Sequence, residues 1–339
     1  MYHFLNPLKD STLYEDRPTQ NVGVNEVLEL GRENGFERRI VSKFDLERVE
    51  NYIGSGISGQ MFEADLRLYT VEASNVPAEY DIDVHPLEKD FERGRGRKFN
   101  EPQTTEGVSW ESRGPEDWDS PGGDFISSFG NFKTFDEFQD TDVVLDVTTI
   151  VMAWIENVIE NHGFLLKSDP EFDETDYELK YFGNKTHTIY VPELVVKYDD
   201  SFIDTSVGTS IGIGSNPTIQ IKNIEGTYRP NGIKRFRLSV KEKYIKQQFV
   251  EEFQRDKDPV RIENGDLKYQ IKDLRNGRRV IPFSEQSKCS FGEDGYFFDV
   301  DLKNVQPERF YSIEFQFEHI DGRTVDFSPN TNRFKVSSR

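Results

Sequence analysis

Residues 142–167, DVVLDVTTIVMAWIENVIENHGFLLK, read as strand, helix, strand. Val143, Val144 and Leu145 are a short apolar run. Asp146, Thr148 or Thr149 can cap a helix by accepting hydrogen bonds from its free N–H groups. Ile150, Val151, Trp154, Ile155, Val158 and Ile159 recur at helical spacing and make one apolar stripe. Asn161-His162-Gly163 then offers a stop, because glycine tolerates the left-handed turn at a helix end. Phe164, Leu165 and Leu166 follow as a buried strand would. The rest of the first two-thirds of the chain offers no comparable helix. A lone helix with an inward Trp, set among strands, predicts a plug for the end of a β-sandwich.

The strands are read from alternation. Phe62, Ala64, Leu66 and Leu68 alternate with Glu63, Asp65 and Arg67, and Ile82 and Val84 alternate with Asp81 and Asp83. Further strands are predicted at 2–8, 11–14, 27–31, 38–46, 177–182, 189–191 and 194–198, with a helical turn at 47–53. The aromatic side chains, 27 Phe and 14 Tyr, favour strands over helices. Residues 205–217, TSVGTSIGIGSNP, are small and uncharged and read as a linker. Beyond them, strands are predicted at 218–224, 233–243, 267–273, 278–283, 296–302, 310–317 and 333–336, with a hairpin at Asn276-Gly277 and a helical excursion at 246–258. About seven strands in so short a segment suit an immunoglobulin-like sandwich.

Four segments in order carry a resemblance. Arg39-Ile40-Val41-Ser42-Lys43-Phe44-Asp45-Leu46 stands for an R-x-L-L-x-F-D-L opening. Ala64-Asp65-Leu66-Arg67-Leu68-Tyr69 stands for an A-x-L-x-L-Y strand. Thr105-Glu106-Gly107-Val108-Ser109-Trp110 fits T-x-G-V-x-W, and the D-V-T…V…W…G-F-L-L of residues 146–166 closes the set. Residues 1–205 thereby resemble the DNRLRE-type module. The resemblance implies a non-catalytic, jelly-roll-like sandwich, found in secreted and cell-surface proteins, some of them carbohydrate-binding, and in phage particles. It transfers no catalytic residue. The expected architecture is all-β, with two β-sandwiches. The first spans 1–205 and is jelly-roll-like, with one amphipathic helix and a long insertion at 87–141. A linker at 206–217 leads to an immunoglobulin-like sandwich at 218–339.

Charge and cysteine usage narrow the function classes. The formal net charge is −20, which argues against a nucleic-acid surface, since such surfaces are cationic. Cys289 is the only cysteine, so an intrachain disulfide or a cysteine zinc site is excluded. No charged-then-apolar leader opens the sequence, and no apolar run approaches the roughly 20 residues of a membrane helix. The expectation is synthesis in a reducing cytosol and a place in a virion assembled there, with no membrane partner.

The chemistry-bearing residues give no catalytic pattern. His3, His85, His162, His187 and His319 show no metal or triad spacing and read as structural or surface residues. The glycines of 208–214 lack the helix and lysine of a phosphate loop. Glu111, Glu116, Asp117 and Asp119 flank Trp110 and Trp118, a setting that suits glycosidase carboxylates or a sugar platform, yet 62 acidic residues make such neighbours commonplace. Asp199, Asp200 and Asp204 offer oxygen ligands without an EF-hand pattern. No metal and no cofactor is predicted. Arg93, Arg95, Arg97 and Lys98 form the main basic cluster, in an insertion rich in Phe and Trp. These four residues with Trp110 and Trp118 are the expected partner-binding set. The sequence therefore reads as a non-enzymatic structural protein of a tailed bacteriophage (tail, baseplate or neck), binding other virion proteins and copies of itself. The alternative is a module that binds a cell-surface polysaccharide.

Overall fold

The computed structural model describes residues 1–53, 61–136, 142–168, 176–215, 217–242, 259–303, 305–327 and 332–338. The expected helical excursion at 246–258 lies outside the described residues. The chain is all-β, with two α-helices among the described residues, Glu47–Ile53 and Thr148–Ile155. Its contacts form two units. One is drawn from Leu5–Ser58 and Glu63–Val196. The other is drawn from Met1–Phe4, Gly59–Phe62 and Lys197–Arg339.

In the first unit, a curled sheet runs in the order Thr70–Ser74, Tyr177–Phe182, Val27–Glu33, Phe36–Phe44, Phe164–Ser168, Glu79–Pro86 and Asn131–Asp136, with Pro7–Tyr14 also paired to Phe36–Phe44. A second sheet sets Glu63–Leu68 between Glu193–Lys197 and Val143–Asp146. Alternation decides which face is dry: Ala64, Leu66 and Leu68 are buried, and Ile82 and Val84 are fully so. The expected strand at 189–191 does not form.

Helix Thr148–Ile155 starts where the carboxylate of Asp146 accepts from the Thr148 N–H at 2.9 Å. Ile150, Val151, Ala153 and Trp154 are buried, and the Trp154 ring lies 4.6 Å from that of Phe164. The helix ends about two turns before the expected Asn161-His162-Gly163 stop. Asn157 takes the left-handed conformation, φ +56°, and the N–H groups of Val158 and Ile159 both turn back to Ala153 O. That closes the helix, so Val158 is 61% exposed instead of inward. Gly163 has a different job. Its φ is +106°, and a Cβ there would sit 2.6 Å from Ser42 O, so glycine lets the next strand approach Phe36–Phe44.

The second unit stacks two sheets, antiparallel except where Thr227–Tyr228 pairs in parallel with Arg333–Val336. One runs Pro217–Ile221, Ile233–Glu242, Gly295–Asp301, Ser290–Gly292. The other runs Thr227–Tyr228, Arg333–Val336, Arg309–His319, Gly265–Asp273, Arg279–Ile281, with Thr324–Phe327 on Arg309–His319. Phe298 joins the layers. Its ring is 5.2 Å from Phe236 on its own sheet, and 4.2 Å from Tyr269 and 5.9 Å from Phe315 on the other. Tyr311, Ile313, Phe315 and Phe317 are buried, while Phe310, just before them on the other face, is exposed. At the Asn276-Gly277 turn, the Gly277 N–H returns to Asp273 O at 2.9 Å. The segment expected as a linker holds a strand, Thr209–Ile211, paired in parallel with Val260–Ile262. It belongs to the second unit, as do residues 198–204 and the first four residues of the chain.

Candidate interaction surface

The insertion from residue 87 onward is clamped to the first unit. Lys9 and Lys43 hold the Asp90 carboxylate at 2.9 and 3.0 Å. Those bonds, outweighing burial, keep the carboxyl below its usual range. The Lys9 ammonium also lies over the Phe91 ring at 4.4 Å. Phe91, Val108, Trp110 and Trp118 pack with Leu13, Val41, Leu87 and Leu165 in one buried cluster. The Arg39 guanidinium lies 4.8 Å from the Trp110 ring centre and donates to Gly122 O at 3.0 Å. The Trp118 indole N–H donates to Ser109 O at 3.0 Å. Trp110 and Trp118, expected at a partner or sugar surface, are 7% and 5% exposed. Both are core side chains of the insertion, with no open ring face for a sugar. The T-x-G-V-x-W spacing pointed to a Trp at this place but not to which way its ring would face.

Asn21 organises the basic stretch. Its side chain is fully buried. The amide donates to Arg93 O at 2.8 Å and to Val108 O at 2.7 Å, and its oxygen accepts from the Gly96 N–H at 2.8 Å. Its backbone N–H reaches Thr104 O at 2.8 Å. One residue, through side chain and backbone, thus ties three stretches of the insertion together. Gly94 (φ +75°) and Gly96 press directly on Asn21, where any Cβ would collide. The two glycines serve close packing that fixes the loop in advance.

The four basic residues separate. Lys98 turns inward: its ammonium bonds both oxygens of the buried Glu29 carboxylate, at 2.6 and 2.8 Å, and Glu29 also holds Arg38 at 2.5 Å. Arg93 is half-buried, and its charge favours ionisation of the buried Asp10. Arg95 and Arg97 are exposed, and neither side chain has an ion-pair partner among the described residues. Phe99 follows them at 88% exposure. Asn21 and Phe99 are the residues that sequence reasoning missed. Asn21 lies more than 70 positions from its partners, and Phe99 looks like one more core aromatic.

The other candidates have local roles. Glu111, Glu116, Asp117 and Asp119 lie on exposed turns; Glu116 pairs with Arg113, and Asp119 with Lys89 at 2.5 Å. Asp199 and Asp204 each accept from the N–H and hydroxyl of the serine two residues on, with N–H distances of 2.9 Å. Those bonds hold the Asp204 carboxyl below its usual range. Asp200 accepts from the Met1 nitrogen at 2.7 Å. Among the described residues no group of His, Cys, Asp and Glu is arranged to hold a metal ion. Burial pushes the Cys289 thiol well above its ordinary pKa, which makes it a poor nucleophile. His3 is fully buried, with Nδ1 2.9 Å from Asp301 Oδ2 and Nε2 3.2 Å from the Tyr198 hydroxyl. No family model matches the chain, and no curated protein is recognisably similar to it.

Proposed function

We propose that the protein is a non-enzymatic structural component of a tailed-phage particle, in its tail, baseplate or neck, and that it assembles through protein–protein contacts with copies of itself and other virion proteins. The observation that carries the assembly step is the loop latched by Asn21. It holds Arg95 and Arg97 exposed, with no ion-pair partner among the described residues, on a chain of net charge −20. A chain so acidic repels its own copies, and a fixed positive patch gives association a place to start. Arg offers two parallel hydrogen bonds to a carboxylate, so the patch sets orientation as well as attraction. Because the loop is already ordered, docking loses little conformational entropy. The phage setting draws its support from the resemblance to the DNRLRE-type module. The carbohydrate alternative drew on Trp110 and Trp118, whose burial leaves no observation in its favour.

Sedimentation of the intact chain tests the assembly step. Wild-type association is expected to weaken as salt rises, and the doubly substituted R95S/R97S variant to associate weakly at every salt concentration. Equal association of the variant would overturn the role of these arginines. Mass spectrometry of purified particles tests the setting: the chain should be present at a stoichiometric copy number, and its absence would refute the phage assignment.

A further inference from the structure

The two most exposed large apolar side chains among the described residues are Phe99, at 88%, and Ile320, at 80%. They lie in different units and in opposite electrostatic settings. Phe99 follows Arg95 and Arg97, which have no ion-pair partner among the described residues. Ile320 stands at the turn between strands Arg309–His319 and Thr324–Phe327, beside a cleft of about 810 Å³. Ile203 and Tyr296 give that cleft apolar surface, and Glu263, Asp266, Glu285 and Glu318 line it. Lys268 neutralises part of this charge, bonding Glu285 and, at 2.5 Å, Glu318. Lys288 does the same at 3.0 Å from Asp266 and 2.7 Å from Glu285. With Arg261 also in the wall, the cleft keeps one negative charge in excess. The carboxylate without a cation is Glu263, which accepts from the Ser210 hydroxyl and has no ion-pair partner among the described residues.

We propose that Phe99 of one copy, flanked by Arg95 and Arg97, seats in the cleft beside Ile320 of a second copy. This rests on the assembly reading above and gives the loop its partner surface. An aromatic anchor seated in a pocket, with arginines beside it, is the arrangement that carries most of the energy in protein interfaces. Phe99 and Ile320 each remove the other from water. Arg95 or Arg97 supplies the cation that Glu263 lacks. Two different surfaces meet, so the contact is heterologous, and repeating it closes a ring or extends a filament.

The test uses two single variants of the full chain, Phe99→Ser and Ile320→Ser, followed by sedimentation. Both positions are exposed, so both variants should fold. Each alone is expected to self-associate roughly tenfold more weakly than wild type, because each removes one side of the contact. Mixed in equal amounts, they should form a heterodimer that grows no further: Phe99 of the Ile320→Ser chain meets the intact cleft of the Phe99→Ser chain, and the other two surfaces are disabled. If the chains associate through Arg95 and Arg97 yet both variants assemble as wild type does, the cleft is not the seat, and the assembly reading stands without it. Chains that stay monomeric at every concentration overturn both the seat and self-association.

Discussion

Asp10 shows how one buried group ties stability to pH. The carboxyl is 1% exposed and accepts one backbone bond, from the Asn184 N–H at 2.6 Å. Burial raises its pKa to about 6, against the lowering effects of that bond, Arg93 and Lys185. For an acid whose folded pKa is raised, the protonated form suits the fold best. Its stabilising contribution is complete below the ordinary value near 4 and is lost as pH rises through about 6. A shift of that size corresponds to about 3 kcal/mol. Asn has the shape of the neutral acid and keeps an acceptor for Asn184. Asp10→Asn should therefore leave stability unchanged near pH 4 and raise it by up to about 3 kcal/mol at pH 7. Denaturant melts at several pH values read the difference. A variant less stable than wild type at pH 7 would show that the ionised carboxylate is needed, with Arg93 as its counterion.

At the scale of elements, periodicity found nearly every long strand, because burying one face of a strand requires alternation. It overran the helix. Val158 and Ile159 continue the spacing, but spacing carries no sign that Asn157 will turn left-handed, and local backbone chemistry ended the helix there. Short strands such as Thr209–Ile211 and Ser290–Gly292 escaped notice because three residues show no period. The candidate surface was legible only as a cluster of charge. Which arginines face solvent depends on Asn21 and Glu29, and no sequence pattern links positions that far apart. The helix itself makes a clear test. Trp154 is 3% exposed and packs on Phe164, so Trp154→Ala should destabilise the first unit by roughly 3–5 kcal/mol. Thermal melts followed by near-ultraviolet circular dichroism measure this, and an unchanged melt would place the ring outside the core.

For the whole molecule, the division of the chain is not linear. Residues 1–4 belong with 197–338, so the two ends of the sequence build one unit and the middle builds the other. His3 is the firmest tie. Its imidazole is fully buried, and it meets Asp301, at the end of strand Gly295–Asp301, and Tyr198. Tyr2 adds a hydroxyl bond to Ser284 at 2.7 Å. Replacing His3 by Ala removes both ring bonds and leaves a void in the place of the imidazole. The cost should be roughly 2–4 kcal/mol, combining lost buried hydrogen bonds with cavity formation. That cost should fall on the strands around Asp301, nearly 300 residues downstream of the substitution. Hydrogen exchange followed by mass spectrometry resolves the two units. Protection should fall across strands Gly295–Asp301 and Arg309–His319 and hold in Phe36–Phe44 and Glu79–Pro86. Loss confined to the strands of the first unit would mean that the N-terminal residues fold with their sequence neighbours, and the interleaved division would have to be abandoned.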